Sequence, residues 1–146
     1  REPQPVQLML SHGWGASVIE THNALQNCVN HGGIPMGTFL FFCCLSMYQP
    51  EDGAEGGLSI SEQLQAKPFA RIIGAGPTHG MYVIHTTALE VYSRLWTVHE
   101  VDEAVLAGVR VRGMCDMYAF SLAHLDESVD SIDTSQGEVS REEDRR

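Results

Sequence analysis

Short apolar runs alternate with segments of helical periodicity from the start of the chain to about residue 115. Four of these runs predict β-strands, because continuous apolar stretches of this length are typical of strands covered on both faces. The predicted strands span residues 6–10, 38–45, 81–85 and 109–114. The run at 38–45 is apolar throughout, so we expect it to be a central strand, and Ile132 indicates a weaker fifth strand.

The segments between the strands predict amphipathic helices. The first helix is predicted at 16–29, where the apolar positions Val18, Ile19, Leu25 and Val29 recur at roughly helical spacing, and the His31–Gly33 segment ends it. A polar loop from Met47 to Leu58 follows the second strand.

Two further helices follow that loop. One is capped near Ser59 or Ser61 and ends at Gly74, and the other carries Trp96 and Glu100. For this last helix the periodicity predicts a buried stripe formed by Leu95, Val98, Val101 or Asp102, Val105 and Leu106.

Alternation of strands and helices predicts one α/β domain with an open parallel sheet and right-handed crossovers. A length of 146 residues suits a single domain with its own core. Ligands of such sheets bind outside the carboxyl ends of the strands. We therefore expect the loops that begin at Ser11, Met47 and Thr86 to surround any site.

Charge and composition narrow the classes of function. The net charge of −10 includes an acidic segment at 126–144, and no basic stripe offsets it, which argues against nucleic-acid or anionic-membrane binding. Four cysteines without a disulfide-type spacing indicate free thiols in a reducing compartment, so we expect a cytoplasmic protein. The chain begins at Arg1 without methionine, and Ser140–Glu143 resembles a capping box that opens a truncated helix, which predicts a fragment of a longer protein.

Several familiar chemistries do not fit the spacing of the residues. The glycines at 74–80 follow a helix and precede a strand, the reverse of a dinucleotide fingerprint. None of the seven histidines forms a pair with zinc-ligand spacing, so we expect no metal. The strand ends lack the carboxylates of a response-regulator receiver, and no serine-hydrolase elbow is present.

Trp96 and Glu100 are the strongest candidates for function. Residues four apart share a helix face, and an aromatic ring beside a carboxylate suits a flat, cationic or ribose-bearing ligand. The same pair also suits a packed helix edge. Both residues fall on the flank of the predicted stripe with Glu103, where Trp96 needs a neighbouring element, a ligand or a partner to cover it.

Two motifs, and their order along the chain, resemble TIR-like domains (Toll/interleukin-1-receptor-like), in particular the TIR-like modules of large protist proteins. The first is the strand and loop ending in Ser11-His12-Gly13-Trp14-Gly15, similar to the family's "Ser-His-x-Trp" opening. The second, from Tyr92 to Val101, is similar to the family's "S-x-x-W-C-x-x-E-L" helix. The sequence departs from the family at three places. Thr97 stands where the family has cysteine, Tyr48-Gln49 stands where it has Asn-Gln, and residues 51–57 form an acidic insertion.

The resemblance implies a flavodoxin-like sheet of four or five strands with helices on both faces. It further implies an intracellular signalling domain that cleaves the nicotinamide–ribose bond of NAD, with NAD as substrate and no cofactor. Glu100 would be the catalytic residue, and Trp96 with the loop of Ser11, His12, Gly13, Trp14 and Gly15 would bind the substrate. The alternative is a non-catalytic module that associates with itself or with other TIR-like domains, and a non-catalytic nucleotide sensor is a third possibility.

Overall fold

The computed structural model describes residues 4–49 and 57–119, which form a four-stranded parallel sheet with helices. The strands are β1 (Leu8–Ser11), β2 (Leu40–Phe42), β3 (Met81–His85) and β4 (Val111–Cys115). Their order in the sheet is β2-β1-β3-β4, and every neighbouring pair is parallel. An α/β fold is therefore confirmed. None of the helices in these two segments is long and apolar enough to cross a membrane.

Five α-helices connect the strands in the described segments. They are α1 (Val18–His31), α2 (Cys43–Ser46), α3 (Ile60–Gln65), α4 (Pro68–Gly74) and α5 (Leu95–Leu106), and a 3-10 turn at Val91–Ser93 precedes α5.

The side chains of each central strand alternate between two hydrophobic clusters, one on each face of the sheet. Leu8 and Leu10 of β1 pack with Ala24 and Cys28 of α1. Met9, on the other face, belongs to a cluster that includes side chains of α4 and α5. Strand residues point alternately to opposite faces, so helices on both sides bury this sheet.

The connections leave β1 and β3 in opposite directions. From β1 the chain passes through α1 to β2 on one side, and from β3 it passes through α5 to β4 on the other. The carboxyl ends of β1 and β3 are neighbours, because Ser11 is paired with Val83. In open α/β sheets such a reversal of strand order leaves a crevice in which ligands bind.

The second strand is shorter than the sequence predicts, and the expectation that it is central is wrong. The strand is limited to Leu40–Phe42, and among the described residues β2 lies at the edge of the sheet and pairs with β1 alone. Leu40 is accordingly 40% exposed. The chain turns into α2 at Cys43, and the Ser46 hydroxyl accepts a hydrogen bond from the Phe42 amide, which stabilises this turn.

The apolar positions of α1 do not all face the core, although Leu25 packs against the buried cluster on this side of the sheet. Val18 is 82% exposed and Ile19 is 75% exposed, whereas Thr21, Ala24 and Cys28 are buried. Small residues face the sheet here because they let the helix backbone approach it closely, a preference that a count of large apolar residues misses.

The predicted helix from Ser59 to Gly74 is two helices. Ser59 caps α3 as expected, in a capping box with Glu62. Lys67 then adopts a left-handed backbone with φ 48°, which interrupts the helical path before Pro68 opens α4.

Other elements agree more closely with the sequence pattern. The third strand is confirmed at Met81–His85, and the fourth is shifted by two residues at its start. The predicted fifth strand at Ile132, the acidic segment at 126–144 and the capping box at 140–143 lie outside the described residues.

The entrance to β3 yields a prediction about close packing. Gly80 has φ 81°, and a Cβ there would collide with the carbonyl oxygen of Arg110. Gly76 has φ 66° and open space around it. We expect Gly76→Ala to lower the free energy of unfolding by about 1–2 kcal/mol through backbone strain. Gly80→Ala should cost roughly 1–3 kcal/mol more because of the clash.

Urea unfolding of both variants measures this difference. Equal losses in the two variants would contradict the close approach of β3 to the Arg110 backbone.

Candidate active site

Ser11 is the last residue of β1, and strand geometry determines the face to which it points. Leu8 and Leu10 face α1, so Ser11, like Met9, lies on the α5 side of the sheet. Its side chain is buried, with 1% exposure. A buried hydroxyl needs a hydrogen-bond partner.

Glu100 of α5 is that partner. The Ser11 hydroxyl donates to Oε2 of Glu100 at 2.5 Å, which joins residues 89 positions apart in the chain. Glu100 is only 4% exposed. The two motifs that resemble TIR-like domains therefore meet in one buried contact.

The prediction that Glu100 lies outside the buried face of its helix is wrong. The buried residues of α5 are Thr97, Glu100 and Ala104, whereas Val105 is 60% exposed and Leu106 is 79% exposed. The hydrogen bond from Ser11 offsets part of the free-energy cost of burying the carboxyl. A hydropathy pattern misses this face because it assigns polar residues to solvent.

Burial also changes the acidity of Glu100. Loss of solvent, and to a smaller extent the charge of Glu103, raises the pKa of its carboxyl to a net value of about 7. Hydrogen bonds from the side chains of Ser11 and Trp96 act in the opposite direction. At neutral pH the carboxyl is therefore close to half ionised, which suits a group that responds to a charged ligand.

Trp96 forms the outer boundary of the site. Its ring contacts Phe69 edge to face, with 5.3 Å between ring centroids, and Phe69 contacts Phe41 in the same way at 5.5 Å. The side chain remains 42% exposed. This aromatic row places Trp96 where it both bonds to the buried Glu100 and reaches the surface.

His12 lies beside the end of β2. Its ring is 4.4 Å from the ring of Phe42, and its Nδ1 atom is 3.9 Å from Sγ of Cys43. Burial lowers the pKa of His12 below its usual 6.5, so the imidazole is neutral at pH 7.

The remaining residues of the predicted Ser11–Gly15 loop are an exposed tryptophan and two glycines. Trp14 is 58% exposed, and its side chain also donates a hydrogen bond to Cys43. Gly13 packs so tightly against Leu89 that a Cβ would collide with that side chain. Gly15, with φ 95°, turns the chain toward α1.

Cys43 belongs to this site, although the sequence indicates only a free thiol. Burial raises the pKa of the Cys43 thiol to about 12, and the charge of Glu100 contributes in the same direction. The thiol is therefore protonated at neutral pH and is a poor nucleophile. Its position at the end of the second apolar run, at the carboxyl edge of the sheet, is the signal that could have identified it.

A second polar cluster lies on the opposite face at the same edge. Glu20 of α1 accepts hydrogen bonds from the Thr87 amide at 2.6 Å and the Thr87 hydroxyl at 2.8 Å. Asn23 donates to Asp116 at 2.7 Å, after β4. These contacts fasten α1 to the ends of β3 and β4, on the other side of the sheet from Glu100.

The structure thus brings Ser11, His12, Trp14 and Trp96 around Glu100 and Cys43. Within residues 4–49 and 57–119, no group of three or more His, Cys, Asp or Glu side chains is arranged to hold a metal ion. The chemistry available at the site is that of one buried carboxyl, its serine donor and aromatic walls.

No family model, curated protein or solved structure matches the chain significantly.

Glu100 should make stability depend on pH. The folded-state pKa of about 7 exceeds the ordinary 4.5, so the folded state binds the proton more tightly than the unfolded state. The bound proton therefore adds to the free energy of unfolding. This contribution is complete below about pH 4.5 and is lost as the pH rises to about 7. Relative to Glu100→Gln, the free energy of unfolding of the native protein should fall by roughly 3 kcal/mol across this range.

Chemical unfolding between pH 4 and 8 measures this difference. Asp102→Asn, on the exposed face of the same helix, is the matched control and should retain the native pH profile. A constant difference between the native protein and Glu100→Gln would contradict a buried, perturbed carboxyl.

Proposed function

We propose that the chain is a TIR-like signalling domain that cleaves the nicotinamide–ribose bond of NAD, with Glu100 as its catalytic carboxylate. One observation carries the proposal. The hydrogen bond from Ser11 to Glu100 unites the two sequence motifs that resemble the family, at the sheet edge where α/β proteins bind ligands.

The sheet topology supports the flavodoxin-like part of the proposal. The order β2-β1-β3-β4 equals the first four positions of the 2-1-3-4-5 order of flavodoxin-like sheets. In that arrangement the ligand site lies at the reversal between β1 and β3. Ser11 is the last residue of β1 at this point.

The chemistry assigned to Glu100 is electrostatic. As the C–N bond breaks, nicotinamide leaves with the bonding electron pair and positive charge develops on the ribose. The ionised carboxylate of Glu100 stabilises this oxocarbenium-like centre, as carboxylates do in glycoside hydrolysis. Water then adds to the ribose carbon and releases one proton, which gives ADP-ribose and nicotinamide.

In this proposal the Ser11 hydroxyl occupies the position beside the Glu100 carboxylate that a ribose hydroxyl would take. A substrate hydroxyl that replaces the serine as donor keeps Glu100 hydrogen-bonded while it binds, so its charge is never left unpaired. Glu100 is 4% exposed, so binding requires the loop of Trp14 or the ring of Trp96 to move aside. The resemblance implies that self-association completes the pocket.

Nicotinamide release from NAD tests the proposal. In concentrated protein, Glu100→Gln should reduce the rate by about 10²-fold or more, because the stabilising charge is removed. Between pH 5.5 and 8 the native rate should rise with pH as Glu100 ionises, reaching half of its maximum near pH 7 and approaching a plateau near pH 8.

Asp102→Asn removes a charge from the exposed face of α5 and should keep the native rate. Release that persists in Glu100→Gln would exclude the catalytic role of Glu100.

The alternative function, a non-catalytic self-association module, is favoured by a different observation. At the same edge of the sheet, large apolar side chains are exposed on the loop after β1 and the first turn of α1: Trp14 at 58%, Val18 at 82% and Ile19 at 75%. Exposed apolar side chains grouped in this way favour a protein contact.

Sedimentation measurements over a range of concentrations test this alternative. Val18→Glu should weaken self-association by about tenfold or more, since it places a charge in the apolar contact. Leu106→Glu, at the far end of α5 and 79% exposed, is the control and should associate as the native chain does. A native chain that stays monomeric, or equal effects of the two substitutions, would exclude this surface as the contact.

A further inference from the structure

A cavity of about 280 Å³ lies at the amino ends of β3 and β4, the opposite end of the sheet from Glu100. The loop after α1, the loop before β3 and the start of β4 enclose it. The five residues of β3, at about 3.3 Å each, span roughly 16 Å between the two ends of the sheet. The cavity is therefore a separate site from that of Glu100.

Positive charge is concentrated in this cavity. The described residues include five lysines and arginines (Lys67, Arg71, Arg94, Arg110 and Arg112), and the last two of them line it. The guanidinium of Arg110 forms no ion pair with any residue in the described ranges. In a chain of net charge −10, two arginines in one concave site favour an anionic ligand.

Arg112 is held in place before any ligand binds. Its Nη1 donates to the hydroxyl of Tyr82 at 2.9 Å, and its Cζ lies 5.9 Å from the centre of the same ring. Tyr82 is 3% exposed and thus fixed in the core. A guanidinium has five N–H donors, so four remain for a ligand. Positioning in advance lowers the entropic cost of binding.

The loops add donors beside the two arginines. Gly33, at φ 70°, and Thr78 both line the cavity, and their backbone amides donate to no backbone carbonyl of the described residues. Thr78 and His79, which both line the cavity, also carry a hydroxyl and an imidazole. Backbone amides in a glycine-containing turn combined with arginine forks are the arrangement that proteins use for phosphate oxygens.

We propose that this cavity binds a phosphate group, carried by inorganic phosphate or by a small phosphate ester. The planar guanidinium of Arg110 would pair with two phosphate oxygens, and Arg112 with the amides would receive the others. A volume of about 280 Å³ is near the lower limit for ligand pockets, which favours a small ester over a dinucleotide.

A nuclear magnetic resonance titration of the whole chain tests the proposal. Amide signals are followed during addition of inorganic phosphate or glycerol 3-phosphate, with ionic strength held constant by sodium chloride. The expected result is a saturable shift at Gly33, Thr78 and Gly80, which line the cavity. Tighter binding of glycerol 3-phosphate would identify an ester as the preferred ligand, and tighter binding of inorganic phosphate would identify the free ion.

Variants identify the residues responsible. Arg110→Gln should weaken binding by about tenfold or more, because a charge-assisted pair is lost. Tyr82→Phe keeps the buried ring but frees Arg112, and should weaken binding severalfold. Arg71→Gln, an exposed arginine of α4 outside the cavity, should bind as the native chain does. Shifts that do not saturate, or equal affinity of Arg110→Gln and the native chain, would overturn the proposal.

Discussion

The site depends on one buried carboxyl. Glu100 is almost completely removed from water, and Ser11, from a strand 89 residues earlier, supplies the hydrogen bond that makes this burial tolerable. Removal of either partner leaves a polar group unpaired in the interior, which costs about 1–3 kcal/mol. Burial at this contact raises the pKa of Glu100, and Trp96, one turn earlier on α5, packs on Phe69 at the surface.

The same contact connects the fold with the proposed chemistry. β1 ends at the reversal of strand order, so its last side chain lies where α/β sheets bind ligands. Burial that raises the pKa of Glu100 also makes its ionised form unusually sensitive to a developing positive charge. Ionisation of Glu100 is costly in the buried site, but it becomes favourable beside an oxocarbenium-like ribose. This difference is the physical basis of the proposed role.

Much of the sheet could be predicted from the sequence, because buried parallel strands are uniformly apolar. Met81–His85 shows this most clearly. The helix faces could not be predicted, since α1 and α5 bury small and polar residues such as Ala24 and Glu100 and expose Val18 and Leu106. The motifs predict that Ser11 and Glu100 are site residues. For Cys43 the sequence offers only its position at the end of an apolar run, and its contact with His12 depends on the fold.

The most direct test is the pKa of Glu100 itself, measured from the ¹³C shift of its side-chain carboxyl during a pH titration. We expect a pKa of about 7, and a higher value in Ser11→Ala, because the serine hydrogen bond lowers the pKa. A pKa near 4.5 that does not change in Ser11→Ala would show that Glu100 is neither buried nor bonded to Ser11. That result would exclude both the buried contact and the proposed role of Glu100.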